Sequence, residues 1–238
     1  TLWTDADRPS NGLVREWIAA STGAATTVPN AQLRRSLDRA IAVAAAHRAF
    51  HWELAFPEVF FDATGHAAAS PGFDAVIGNP PWDMIRADTG TAAQREQARS
   101  MTAAASRFYR ASRAYERPRG GHANSYQRFL ERALQLTRTG GRIGLLLPSG
   151  IGTDHGSASL RRRLLDRTTV DTWIGFDNRK RIFPIHRSVR FVLLTTTNAG
   201  RTDQVRMRCG LDDASMLRSE EHTSELQSRQ YLVCRLLL

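Results

Sequence analysis

The sequence predicts an α/β protein whose strands alternate with helices and whose sheet closes on an antiparallel strand pair. Three observations carry this. Short β-branched or aromatic runs alternate with helically spaced segments between residues 73 and 176, and Gly, Pro and Ser clusters mark the boundaries. Two strand-like runs, residues 170–176 and 189–197, then follow one another with no helical pattern between them, as an antiparallel pair requires.

Taken in order, residues 31–49 place Leu33, Leu37, Ile41 and Ala44 one turn apart, with Arg34, Arg35, Asp38 and Arg39 on the other side. That spacing predicts a helix, with Asn30 as its N-cap. Residues 51–61 are aromatic and interrupted by Pro57, which predicts a buried extended segment leading to the core. A loop over 64–72 precedes a strand at 75–78. Residues 83–121 are polar and arginine-rich with weak periodicity; they predict an insertion over the functional face, helical around 92–101. Asn124 or Ser125 caps a helix in which Tyr126, Phe129, Leu130, Ala133, Leu134 and Leu136 recur at three- and four-residue steps, with Gly140-Gly141 as its stop. A strand at 142–147 is closed by Pro148, a helix follows at 159–166, and the strand pair at 170–176 and 189–197 completes the pattern.

The 238 residues, 42% of them hydrophobic, fit one domain of ordinary size with a core of its own. No apolar run approaches a membrane span, so no membrane partner is expected. The final 21 residues, from Arg218, read as the translation of a short-read sequencing adapter, and the chain starts at Thr1 without Met, so both ends read as cut. Four segments follow: a helical lead-in at 1–60, a core at 61–200 carrying the 83–121 insertion, the start of a further region at 201–217, and the foreign tail at 218–238, expected to take no fixed place in the fold. With that tail set aside Cys209 is the only cysteine, which points to a reducing, cytoplasmic setting without disulfides or zinc. His47 and His51 have helical ligand spacing but lack the glutamate that such a metal site uses. The net charge of +10 survives removal of the tail, where Arg 218, 229 and 235 balance Glu 220, 221 and 225. Such an excess favours a polyanion, nucleic acid first.

The most specific motif is Asn79-Pro80-Pro81-Trp82, directly after the strand-like Phe73-Asp-Ala-Val-Ile-Gly78. Two prolines lock a short loop at a strand end and leave it to present an amide, backbone carbonyls and a large aromatic face. A flat, amine-bearing base suits such a loop. Arg161 to Arg163 and Asn178-Arg179-Lys180-Arg181 are candidate phosphate contacts, and Phe183 or Phe191 a second stacking face, although both patterns are common on ordinary surfaces and cores.

The run from Phe73 to Trp82, the helix over 124–136, the strand over 140–148 and the pair around 183–197 together resemble the N6-adenine DNA methyltransferases of the gamma arrangement, most closely the large single-chain restriction-modification or BREX-type methylases. The resemblance implies the C-terminal half of a Rossmann-like, S-adenosylmethionine-dependent fold. It implies double-stranded DNA as substrate and restriction or defence-system subunits as partners. Asn79, Pro80, Pro81 and Trp82 take the catalytic positions, with Asp74 and Asn79 beside the cofactor and Trp82, Phe183, Arg179, Lys180 and Arg181 on the substrate. An adenine amine is a poor nucleophile while its lone pair is delocalised into the ring. In the resemblance the Asn79 oxygen and the Pro80 carbonyl draw on its two hydrogens, and the charge building on nitrogen is stabilised without a covalent intermediate. The target base must leave the stack, and Trp82 is the face that receives it. The family's glycine-rich cofactor turn has no counterpart in the sequence and is expected before Thr1, and a target-recognition domain is expected after Thr197. A protein-glutamine or RNA methyltransferase, or an inactive DNA-binding or assembly subunit, fits the same loop.

Overall fold

The computed structural model describes residues 12, 15, 31–46, 48–82, 91–93, 95–96, 103, 109, 115, 124–215 and 217, and the backbone of 231–235. It divides into two compact units, Thr1–Pro57 with Thr91–Arg113, and Glu58–Gly90 with Ala114–Leu238. The predicted insertion at 83–121 therefore splits between units, and most of it lies outside the described residues. Among the described residues no helix is long and apolar enough to cross a membrane.

The first unit carries helix α1 (Ala31–Ala46) and the four-residue helix α2 (Trp52–Ala55). Phe50 meets Trp52 edge-on at 4.9 Å, and Trp52 stacks on Phe56 at 6.0 Å. A second short helix, α3 (Pro57–Phe60), follows at once. The buried extended segment expected over 51–61 is thus corrected to two helical turns, and only Phe60 in it is buried. Pro57 begins α3 rather than breaking the chain, because the first helical position needs no N–H and favours the fixed φ of proline.

The second unit is built on one six-stranded sheet. Its strands are β1 (Phe73–Gly78), β2 (Thr137–Pro148), β3 (Thr169–Asp177), β4 (Arg190–Thr197), β5 (Gln204–Leu211) and β6 (Tyr231–Arg235), in the spatial order β1-β2-β4-β3-β5-β6. β1 runs parallel to β2 and β3 parallel to β5; β4 is antiparallel to both neighbours. The expected α/β sheet with an antiparallel β3–β4 pair is therefore present. The sheet does not end on that pair. β5 extends it with Val205 and Met207 on one face and, after a register shift between Arg208 and Leu211, with Leu211 on the other, so the core runs past residue 200.

Alternation along the strands sorts the core onto two faces. Ile143, Leu145 and Leu147 of β2, Val192 and Leu194 of β4 and Trp173 of β3 share one face. Helix α4 (Ser125–Leu136) contributes Tyr126, Leu130, Ala133 and Leu134 to the same cluster, and α6 (Ala158–Arg167) contributes Leu160 and Leu164. A one-turn helix, α5 (Gly150–Thr153), adds Ile151 between β2 and α6. The opposite face is smaller: Ile174, Phe176, Phe191 and Leu211, with Leu146, Leu193, Trp82 and Phe183 packed on them.

Helix α4 ends at Leu136 and not at Gly140-Gly141, because β2 begins at Thr137. Its last carbonyls are met from a distance: the Asn198 amide donates to the carbonyls of Leu134 at 3.1 Å and Thr137 at 2.7 Å. The glycine pair lies inside β2, where the pairing with β1 jumps from Phe73↔Thr137 to Ala75↔Arg142. Gly72, at φ +120°, has no room for a side chain; a Cβ would stand 2.6 Å from the Arg138 nitrogen and 2.8 Å from the Leu136 carbonyl. This contact sets β1 against the α4–β2 junction.

At the far edge β6 pairs antiparallel with β5, from Gln204↔Arg235 to Arg208↔Tyr231. The expectation that residues 218–238 take no fixed place is corrected for these five. An open edge offers unpaired N–H and C=O groups, and Tyr-Leu-Val-Cys-Arg is a β-prone run able to meet them through backbone alone. Residues 218–230 lie outside the described residues.

Candidate active site at the strand ends

β1 is parallel to β2 up to Gly78↔Leu145, so the 79–82 loop leaves the sheet at the carboxyl ends of both strands. In open α/β sheets this is where ligands sit. Pro80 is buried and anchors the loop, while Asn79 and Pro81 are exposed and Trp82 is half-buried. The Asn79 side chain makes no hydrogen bond among the described residues, whereas an asparagine serving only as a turn cap would bond its own backbone. Its amide is free to meet a ligand.

Trp82 is held in one orientation. Its indole N–H donates to the Leu146 carbonyl at 3.2 Å, and its ring lies 5.8 Å from Phe191 at 32°. Phe183 reaches the same Phe191 from another direction, 5.1 Å away and 67° inclined. Phe191 is 1% exposed and stacks on Phe176 at 5.0 Å, so it is the buried base of the patch while Trp82 and Phe183 are its partly exposed members. The fold thereby joins a residue of the first loop to one a hundred positions later.

Asn178 makes that possible. Fully buried after β3, it donates its amide to the carbonyls of Phe183 and Ile185, both at 3.1 Å, and accepts from the Phe183 N–H at 3.0 Å. Nothing local in the sequence marks Asn178 as a clamp, since it stands at the head of an arginine-lysine run that reads as exposed charge. Arg181 completes the turn in the left-handed region at φ +59°.

The other expected site residues fall elsewhere. Asp74 lies at the start of β1, roughly 16 Å of strand from Asn79, with Arg138 Nε 2.6 Å from its carboxylate. Arg179 pairs with Asp177 at 3.0 Å and Lys180 with Asp212 at 3.1 Å. Arg161 clamps the Ile151 and Asp154 carbonyls at 3.1 and 2.9 Å, and Arg163 lies 3.8 Å from the buried Glu131. On the helix-covered face Tyr126 bonds Ser157 at 3.0 Å, and burial pushes its phenol above the ordinary tyrosine value.

A family model described as Eco57I restriction-modification methylase matches residues 19–183, which include the 79–82 loop, β1 to β3 and Phe183. The chain belongs to the Eco57I restriction-modification methylase family. Among curated proteins none matches it. Among solved structures, this family member is similar to a type I restriction-modification system methyltransferase subunit from Streptococcus thermophilus, at 17% identity over 65% of this chain and 33% of that one, TM-score 0.41. It is also similar to the type IIG restriction endonuclease BpuSI, at 13% identity over 68% and 19% of the two chains, TM-score 0.41. A third is the type I restriction enzyme EcoKI M protein, at 19% identity over 58% and 25%, TM-score 0.38. The chain spans a third or less of the length of each of these three.

Proposed function

We propose that the protein of which these residues form part transfers a methyl group from S-adenosylmethionine to the N6 amine of adenine in double-stranded DNA. The observation that carries the reading is the exposed, unbonded Asn79 amide at a strand end, beside the Trp82 and Phe183 patch, in a member of a restriction-modification methylase family. The Asn79 oxygen accepts one amine hydrogen and the Pro80 carbonyl the other, so that the nitrogen lone pair turns toward the methyl donor. Fixed acceptors of this kind act mainly as charge develops, which is why they raise the rate rather than the affinity. The flipped base stacks on Trp82, whose ring is already immobilised by its bond to Leu146.

S-adenosylmethionine supplies an electrophilic sulfonium methyl. Asn79 stands where such a ligand of an α/β sheet fits; Asp74, at the other end of β1 and bound to Arg138, we assign to tying β1 to β2. The net charge of +10 favours DNA over a protein amide as acceptor. Restriction or phage-defence subunits are the partners, and the cytoplasm the place of action. To test this, the product of the complete reading frame is incubated with methyl-labelled S-adenosylmethionine and duplex DNA, which is then digested to nucleosides. Label in N6-methyladenine is expected; label in cytosine, in protein, in RNA alone or nowhere would overturn the reading.

A further inference from the structure

At the same end of the sheet as the 79–82 loop lies a concavity of about 500 Å³, where β2 passes into Ser149, β3 ends at Asp177 and β4 begins at Arg190. Arg179, Arg187 and Arg190 line it against a single carboxylate. That carboxylate, Asp177, is shared between Arg179 at 3.0 Å and Arg190 at 3.8 Å. Arg187 has no ion-pair partner among the described residues. The lining thus carries two positive charges in excess, together with the Ser149 hydroxyl, while the Ser188 hydroxyl is hydrogen-bonded to the His186 ring at 2.7 Å.

This basic wall is built rather than loose. The Asn178 clamp fixes the chain as far as Ile185, the Val189 N–H closes a turn on the His186 carbonyl at 3.1 Å, and the Ser149 N–H bonds the Arg190 carbonyl at 3.0 Å. Guanidinium forks beside hydroxyl donors are the side chains that grip phosphate oxygens. β3 stands three strand intervals from β1, about 14 Å, less than half of the roughly 34 Å turn of a duplex. The loop and the concavity therefore lie within the reach of one duplex.

We propose that this concavity holds a backbone phosphate of the bound DNA near the target base, with Arg187 as its principal contact. The proposal rests on the reading of DNA as substrate. Its test is duplex binding by the product of the complete reading frame, followed by fluorescence anisotropy across a salt series. Arg187→Ala is expected to weaken binding about tenfold and to reduce the slope of log K against log salt by about one, as loss of a single phosphate contact does. Arg187→Lys, which keeps the charge, should restore the slope. Arg167→Ala, which removes an exposed arginine at the end of α6, should leave the slope unchanged. An unaltered slope in Arg187→Ala, or an equal fall in Arg167→Ala, would overturn the proposal. So would micromolar binding of inorganic phosphate that depends on Arg187 while duplex binding does not. Failure of the methylation reading looks different: no N6-methyladenine forms, yet duplex binding still depends on Arg187.

Discussion

The two faces of the central sheet are made from the same strands and do different work. On one, Leu145, Leu147, Val192 and Leu194 disappear under α4 and α6. On the other, the described residues that pack on Phe191 and Phe176 from outside the strands are Trp82, Ile182 and Phe183. A helix-covered face removes apolar area from water and holds the fold; a loop-covered face keeps aromatic rings partly accessible at the strand ends. The difference places stability and the candidate chemistry on opposite sides of one layer, so substitutions on the two sides should separate into two kinds of loss.

The largest loss of stability belongs to the covered face. Leu194→Ala should lower unfolding free energy by about 2–5 kcal/mol in a denaturant titration, since the side chain is fully buried; a change below 1 kcal/mol would mean the helices do not close over it. Trp82→Ala on the other face should cost about 1–3 kcal/mol of DNA binding through lost base stacking. Affinity equal to that of the unaltered protein would remove Trp82 from the binding face.

Tyr126→Phe sharpens the same contrast at lower amplitude, costing about 1 kcal/mol for the lost bond to Ser157. The phenol holds its proton more tightly folded than unfolded because burial disfavours the phenolate. The stability this gives is complete below the unfolded value of 10.0 and is lost as pH rises through the folded one. Melts of Tyr126→Phe above pH 10 should therefore fall less steeply than those of the unaltered chain. Smallest of all, removal of residues 218–238 should change stability by about 0.5 kcal/mol or less, the range of surface changes. A loss above about 2 kcal/mol would mean that β6 holds the fold by more than its backbone pairing with β5.

Much of this division was readable in the sequence, and the exceptions have physical causes. The strand before Asn79, helix α4 and the β3–β4 pair follow from hydrophobic period alone. β5 carries the same signal only in Val205 and Met207, set among Arg206 and Arg208, and a register shift at Cys209-Gly210 turns Leu211 to the other face. Gly140-Gly141 misled because a glycine pair after a helical stretch usually stops it, whereas here the stop comes from Asn198, some sixty residues away. The loop motif at 79–82 is local and legible. Its meeting with Phe183 on Phe191 depends on strand order and on the Asn178 clamp, which no local pattern encodes.

The claim that Asn79 does chemistry rather than hold the fold is tested most directly by one paired measurement on Asn79→Ala: single-turnover methyl transfer to duplex DNA alongside the thermal midpoint of the same preparation. Because its amide is exposed and bonded to nothing among the described residues, the midpoint should stay where it is. Removal of one charge-stabilising group from a reacting centre should slow transfer by about 10²–10³-fold, with binding of S-adenosylmethionine largely spared. Transfer at the unaltered rate, or a rate that falls only as far as the midpoint does, would contradict the account.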